Sequence, residues 1–410
     1  MSESVFKLGD KGIPFDLIGQ PISALVGRSV NDGSFPSPRI VAYADRISHN
    51  LDVMKAWCSH HGVEIAPHAK TTMSESLVRR QLAAGAWGLT AATAVQARAL
   101  QAMGAQRIMI ANQLVSSAGI EWARDAGDGG LELAVFVDSD AGLAALEGSA
   151  QSRAVLVLLE VGAAGGRAGV RGMDHALSLA RAAADTNGVA LAGVAGYEGV
   201  FMDGGAVDPR AGVREYLHQL GRAFDAIRAE GLFETDVPIL TAGGSACFDD
   251  VVAVLAPTAS RGGAQVVIRS GCYLMHDHGL YEGTSPLQNS PHWPPFQGAI
   301  EVVGQVLSRP EPELVLLDVG RRDASYDSGL PRPLRWQARS GDHAAAPSHW
   351  SVTSIMDHHI YVAVAPDDRV AVGDFVGLGI SHPCTTLDRW RVIPEIAQDG
   401  TVVDVIVTDF

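Results

Sequence analysis

The sequence predicts an α/β protein: an N-terminal (β/α)8 barrel of the TIM type, followed by a C-terminal, mostly antiparallel β domain. Three observations predict it. Between about residues 60 and 280, short apolar runs alternate with longer amphipathic ones, as strands alternate with helices around a parallel sheet. The apolar runs number eight, the count of a closed barrel, which favours it over an open doubly wound sheet. Beyond about residue 285 helical patterning becomes scarce and β-like runs take over.

The first β-like run, at 40–45, precedes the barrel. It is expected to pair with the C-terminal domain and so to make that domain discontinuous. The eight barrel strands are expected at 63–66, 88–93, 107–112, 133–139, 154–162, 191–199, 238–245 and 266–274. Among the segments between them, 74–84, 94–103, 173–184 and 213–230 carry apolar residues at helical spacing. Residues 285–295 are rich in Ser, Pro and Asn and read as a connector. Later strands are expected at 299–307, 314–319, 349–357, 360–364, 374–380 and 402–407. The expected domains are therefore 46–284 for the barrel and 1–45 plus 285–410 for the β domain. No internal repeat or low-complexity segment interrupts this pattern.

Composition limits the partners. With 47% hydrophobic and 19% charged residues, the chain can build an ordinary globular core. The 31 basic against 46 acidic residues leave a net charge of −15, which argues against nucleic acid and anionic membranes. A small anionic ligand remains compatible, since one pocket can oppose the net charge. Four cysteines, at 58, 247, 272 and 384, are too scattered for a disulfide framework, and no CxxC pair signals a structural zinc ribbon. The N-terminus shows no signal peptide, and no run reaches the roughly 20 apolar residues of a spanning helix. The expected location is the cytoplasm.

Several residues can carry chemistry. Lys70 follows the first barrel strand in Pro67-His68-Ala69-Lys70-Thr71-Thr72. Catalytic groups project from the C-terminal ends of barrel strands, and a partly desolvated lysine there can form a Schiff base; taken alone, a solvated loop lysine explains it as well. Thr241-Ala242-Gly243-Gly244-Ser245 follows strand seven, and Ser270-Gly271-Cys272-Tyr273 closes strand eight. Barrels often bind phosphate through the loops after these strands, where glycine lets backbone N–H groups approach an anion. A lysine at one strand end and a phosphate cradle at two others point to pyridoxal 5'-phosphate (PLP). Arg167 lies in the glycine-rich loop after strand five, suited to a pyridine nitrogen or a substrate carboxylate, and Tyr197 ends strand six. In the β domain, His382 and Cys384 form an H-x-C pair on what reads as an extended segment, where residues i and i+2 share a face. Imidazole and thiolate are good zinc ligands. His276, His278, His358 and His359 compete with them as ligands or as structural histidines.

Together these motifs resemble the D-serine dehydratase and D-threonine aldolase group of the alanine-racemase-like, fold type III PLP enzymes. The resemblance runs from about Ile40 to Cys384. It rests on the Pro67–Thr71 lysine motif, the strand Gly85–Thr93, Ile110-Ala111-Asn112-Gln113, the arginine loop from Val161 to Val170, the two phosphate turns and His382-x-Cys384. It implies that Lys70 carries PLP and acts as the base at Cα, with His68 and Tyr197 lining the cofactor and Arg167 near its pyridine nitrogen. Thr241, Gly243, Gly244, Ser245, Ser270, Gly271, Cys272 and Tyr273 would hold the phosphate. His382 and Cys384 would bind a divalent metal, with zinc expected. The implied protein is a homodimer acting on a small D-amino acid. Dehydratases of this group tend to have cysteine at the position of Cys384, and aldolases aspartate, so the resemblance leans to dehydration of a D-serine-like substrate to a 2-oxo acid and ammonia. An aldolase releasing glycine and an aldehyde is the alternative; a racemase and a non-catalytic PLP-binding protein stand behind it. Thr72, Met73, Gln96, Arg321 and Arg322 depart from residues frequent in the group.

Overall fold

The computed structural model describes residues 4–148, 154–202 and 208–410. The chain separates into two compact units, Met54–Gly271 on the one hand and Met1–Val53 with Cys272–Phe410 on the other. Strand β1 (Arg39–Tyr43) opens the ordered sheets, and helix α1 (Ala44–His61) carries the chain from one unit into the next.

All eight expected barrel strands form: β2 (Glu64–Ile65), β3 (Leu89–Ala91), β4 (Arg107–Gln113), β5 (Glu132–Val137), β6 (Val155–Val161), β7 (Val189–Gly196), β8 (Ile239–Ala242) and β9 (Gln265–Ile268). They pair in parallel in the order β2-β9-β8-β7-β6-β5-β4-β3. A parallel bridge between His68 and Thr90 joins the two ends of this curled sheet, supported by the Thr90 N–H donating to Pro67 O at 2.9 Å. β2 is short because Pro67 has no N–H for a ladder. The chain therefore leaves the sheet there and turns into the segment that carries Lys70.

Small side chains and a few large ones share the barrel interior: Ala66, Ala134, Ala192 and Ala195 alternate with Met109, Phe136, Leu158, Ile239 and Val267. Such layers make a packed core rather than a pore. Outside lie α2 (Glu75–Ala83), α3 (Ala94–Ala102), α4 (Ser117–Asp128), α5 (Asp140–Leu146), α6 (Met173–Ala184), α7 (Pro209–Ala229) and α8 (Phe248–Gly262). Side chains of Thr93, Ser116, Ser139 and Asp208 accept a backbone N–H at the starts of α3, α4, α5 and α7. Each such cap contributes about 1 kcal/mol. The Asp208 cap and Pro209 at the first helical position begin α7 earlier than the expected 213.

In the other unit the remaining strands are β10 (Ile300–Glu311), β11 (Leu314–Leu317), β12 (Arg332–Gln337), β13 (His343–Ala345), β14 (Ser351–Ile355), β15 (Ile360–Ala363), β16 (Phe375–Gly379), β17 (Val392–Ile396) and β18 (Val402–Val407). The main path runs β13-β12-β16-β10-β1-β17-β18, with β11, β15 and β14 continuing from β10. β1 pairs antiparallel with β10 (Ile40 opposite Val302) and parallel with β17. It thus joins the C-terminal sheet, as its position before the barrel predicts. Strands β12, β13 and β17 are additions to the expected set. β12 reads Arg-Pro-Leu-Arg-Trp-Gln, without the alternation of a half-buried strand, and β17 contains Pro394. That proline is accommodated because pairing with β1 begins only at Glu395. No helix among the described residues is long and apolar enough to cross a membrane.

Candidate active site

In the barrel unit, Lys70 stands in a single 3-10 turn (Ala69–Thr71) directly after β2. Ala69 and Thr71 are buried and anchor the turn, while Lys70 is exposed. The backbone beneath it is fixed by a close approach: a Cβ on Gly271 would lie 2.3 Å from His68 O, so only glycine fits there. The His68 Nδ1 is buried without a hydrogen-bond partner. Burial, reinforced by the Lys70, Arg269 and Arg167 cations, pushes the His68 pKa well below the usual imidazole range, so its ring is neutral.

The predicted arginine and tyrosine come together. The Arg167 guanidinium stacks 4.2 Å from the Tyr197 ring centroid. Tyr216 from α7 ties the strand ends beneath them: its hydroxyl donates to Val161 O at 2.6 Å and accepts the Tyr197 N–H at 3.0 Å. The ends of β8 and β9 are tied by Thr241, whose hydroxyl donates to Val267 O and accepts from Arg269, both at 2.6 Å. Arg269, buried, also donates to Gly196 O at 2.6 Å. Ser270 donates to Gly244 O at 3.1 Å.

The turn at Gly243 and Gly244 does present convergent donors to an anion. That anion is a carboxylate of the chain itself. The fully buried Glu198 accepts the Gly243 N–H at 3.0 Å and the Gly244 N–H at 2.6 Å. Gly243 has φ +119°, which a side chain at this position would disfavour. A phosphate bound to these two N–H groups requires the Glu198 carboxylate to swing away.

In the β unit the chain leaves β16 through Ser381-His382-Pro383-Cys384. The expected extended segment is not what forms. Pro383 is in the right-handed helical region and opens one helical turn, Cys384–Leu387. The H-x-C pair therefore meets across a turn rather than by pleat alternation; the fixed φ of proline suits the start of a helix. Ser325 steadies it, its hydroxyl accepting the His382 N–H at 3.0 Å. His382 Nδ1 and Asp327 Oδ2 are 2.7 Å apart, and Asp327 Oδ1 accepts the Thr385 hydroxyl at 2.8 Å. Burial alone would raise the Asp327 pKa, but the hydrogen bonds from His382 and Thr385 hold it below the usual carboxylate range. Engagement of Nδ1 leaves Nε2 as the ring nitrogen for a metal.

Cys272 completes a cluster. Its sulfur is 3.4 Å from that of Cys384. One donor atom each from Cys272, His382 and Cys384 lie within 4.8 Å of one another, and among the described residues this is the group of three that could hold a metal ion. Cys272 is buried and the other two are half-buried. The competing histidines fall elsewhere. His276 and His278 are outside this cluster, and burial pushes each down to about 4. His358 and His359 are exposed. Tyr273, expected at the phosphate, packs its ring against Phe296, with centroids 5.8 Å apart.

Comparison with known proteins shows what the chain is similar to. The family model for the serine dehydratase domain matches residues 299–396, the stretch that holds His382 and Cys384. The chain is 28% identical to D-threonine aldolase of Arthrobacter sp over 378 residues, covering 90% of this chain and 91% of that protein. The chain is similar to members of the D-serine dehydratase and D-threonine aldolase group. Another relative, D-threo-3-hydroxyaspartate dehydratase of Delftia sp. (strain HT23), is 29% identical over 59% of this chain and 61% of its own. A cysteine variant of such a dehydratase is known in a metal-free form. The D-threonine aldolase from Filomicrobium marinum superposes with a TM-score of 0.78 at 21% identity, covering 93% of this chain and 97% of that one.

Sequence reasoning missed the Cys272 thiol, Asp327, Glu198, Arg269 and Tyr216. Glu198 and Arg269 adjoin predicted residues and were within reach of it. Asp327 lies 55 positions from its histidine, and no spacing rule connects them.

Proposed function

We propose that this protein is a lyase that uses PLP and a divalent metal to eliminate water from a D-3-hydroxy amino acid. A D-serine-like substrate would give a 2-oxo acid and ammonia. The observation that carries the reading is the donor set of the β unit. It is made of sulfur and imidazole nitrogen with no carboxylate, and such soft donors suit zinc.

The residues present fit both groups. Lys70 offers an exposed amine at the C-terminal end of a barrel strand. The Gly243–Gly244 turn holds an oxyanion in this structure, that of Glu198. We assign to the phosphate the turns Gly243-Gly244-Ser245 and Ser270-Gly271-Cys272-Tyr273, braced by the hydroxyls of Thr241 and Ser270, which donate to Val267 O and Gly244 O. His68, Arg167 and Tyr197 would line the ring. PLP supplies a sink for the electron pair left at Cα. Lys70 would take the α-proton at its Nζ. His382 and Cys384 would hold the metal, which would supply Lewis acidity toward the β-hydroxyl. Asp327 keeps the His382 ring oriented throughout. Loss of the α-proton and of hydroxide releases water, and hydrolysis of the enamine product gives the oxo acid and ammonia. The acidic chain fits a small-molecule substrate, and we take the protein to act as a homodimer in the cytoplasm.

A second reading has its own support. Identity to the Arthrobacter D-threonine aldolase extends over 90% of this chain, which favours retro-aldol cleavage to glycine and an aldehyde. One assay separates the two. Purified protein with PLP and zinc is given D- and L-3-hydroxy amino acids, and oxo acid and glycine are measured in the same reactions. Oxo acid from D-substrates only, lost on chelation and restored by zinc, supports dehydration. Glycine in its place makes the protein an aldolase, and neither product leaves a PLP-binding protein without turnover.

A further inference from the structure

We propose that Cys272 is a third protein ligand, so that the metal sits in a Cys2His site with one open position. This deepens the reading above and rests on its assignment of a metal to His382 and Cys384. Sequence position gave Cys272 to the phosphate turn, but a backbone N–H and a thiol are separate groups. The side chain points to the other cluster, with its sulfur 3.4 Å from that of Cys384. Zinc bound tetrahedrally at about 2.3 Å to each of two sulfurs would set them about 3.8 Å apart. The two sulfurs therefore need only a few tenths of an ångström of adjustment to share an ion.

The surroundings support a site with an inner and an outer side. Cys272 is 5% exposed and closes the inner side. The side chain of His382 is 20% exposed, so the remaining tetrahedral position can face solvent and substrate. Three protein ligands plus one open position is the pattern of catalytic zinc. Two thiolates neutralise a divalent charge, and they select zinc over manganese or magnesium more strongly than one would. They also donate more charge to the ion, which tempers its Lewis acidity. With Asp327 on Nδ1, the histidine is already oriented.

The test uses the PLP-loaded full-length protein, stripped of metal and reloaded with cobalt(II). The near-ultraviolet thiolate-to-cobalt absorption scales with the number of bound sulfurs. It is expected to fall by about half in Cys272→Ser and in Cys384→Ser, and to keep its intensity per bound ion in His382→Ala. Zinc affinity, by chelator competition, is expected to fall about 100-fold or more in Cys272→Ser, at least as far as loss of an outer-shell partner would lower it. Cys272→Asp keeps a ligand at the position. It is expected to bind metal with half the sulfur absorption and a preference shifted toward manganese, which also guards against misfolding of the serine variant. Unchanged absorption and affinity in Cys272→Ser, with losses in Cys384→Ser and His382→Ala, overturns the third ligand and leaves the two-residue site standing. No change in any of these variants overturns the metal assignment itself.

Discussion

Lys70 and Asp327 make opposite demands on the reader of a sequence. Lys70→Ala is expected to abolish turnover, with the cofactor's visible absorbance lost from the purified protein, because the variant has no amine at the end of β2. Spectra before and after gel filtration check this. Asp327→Asn keeps an acceptor for His382 Nδ1 but removes its charge. Zinc affinity is expected to fall about 10–100-fold by chelator competition, while PLP binding is unchanged. The lysine was legible because its motif is contiguous and follows an obvious strand. The H-x-C pair was legible for the same reason, although the turn that joins it was not. Asp327 was illegible because it acts only through a histidine 55 positions away.

Elements position the residues through a few buried polar ties. Tyr216 from α7 bridges the ends of β6 and β7. Tyr216→Phe leaves Val161 O and the Tyr197 N–H without that partner in a buried setting, at a cost of about 2 kcal/mol. The urea midpoint is expected to fall with an unchanged m-value. KM is expected to rise as the Arg167–Tyr197 stack loosens. The eight barrel strands could be read in advance because strands covered on both faces are near-continuous apolar runs. β12 and β17 could not. The arginines and proline of β12 suit a partly exposed strand, and Pro394 is tolerated only because of the register its neighbours impose.

The stability of the whole molecule carries a pH signature. His278 packs against Gly298 and Gly379, and burial pushes its pKa down to about 4; the neighbouring Glu301 opposes this, while Arg46, Arg332 and His276 add to it. The unfolded chain therefore binds a proton at this histidine below its ordinary pKa, and the folded one does not. The contribution is fully present above about 6.5 and is lost as pH falls toward about 4. Between pH 7 and pH 5 the protein is expected to lose roughly 2 kcal/mol more stability than His278→Asn does, by denaturant titration at both pH values. A parallel slope in the two proteins would show that the ring titrates normally.

The sequence by itself determined the number and order of the barrel strands, the early strand that joins the C-terminal sheet, and where along that order Lys70 and the H-x-C pair fall. These follow from local periodicity and contiguous motifs, which act over a few residues. Only the tertiary structure decided which groups share a site. It set Glu198 against the Gly243–Gly244 turn across about 45 positions, and the Cys272 sulfur against that of Cys384 across 112. Such pairs depend on strand register and loop closure, and the side chain then turns to the neighbour that the packing supplies.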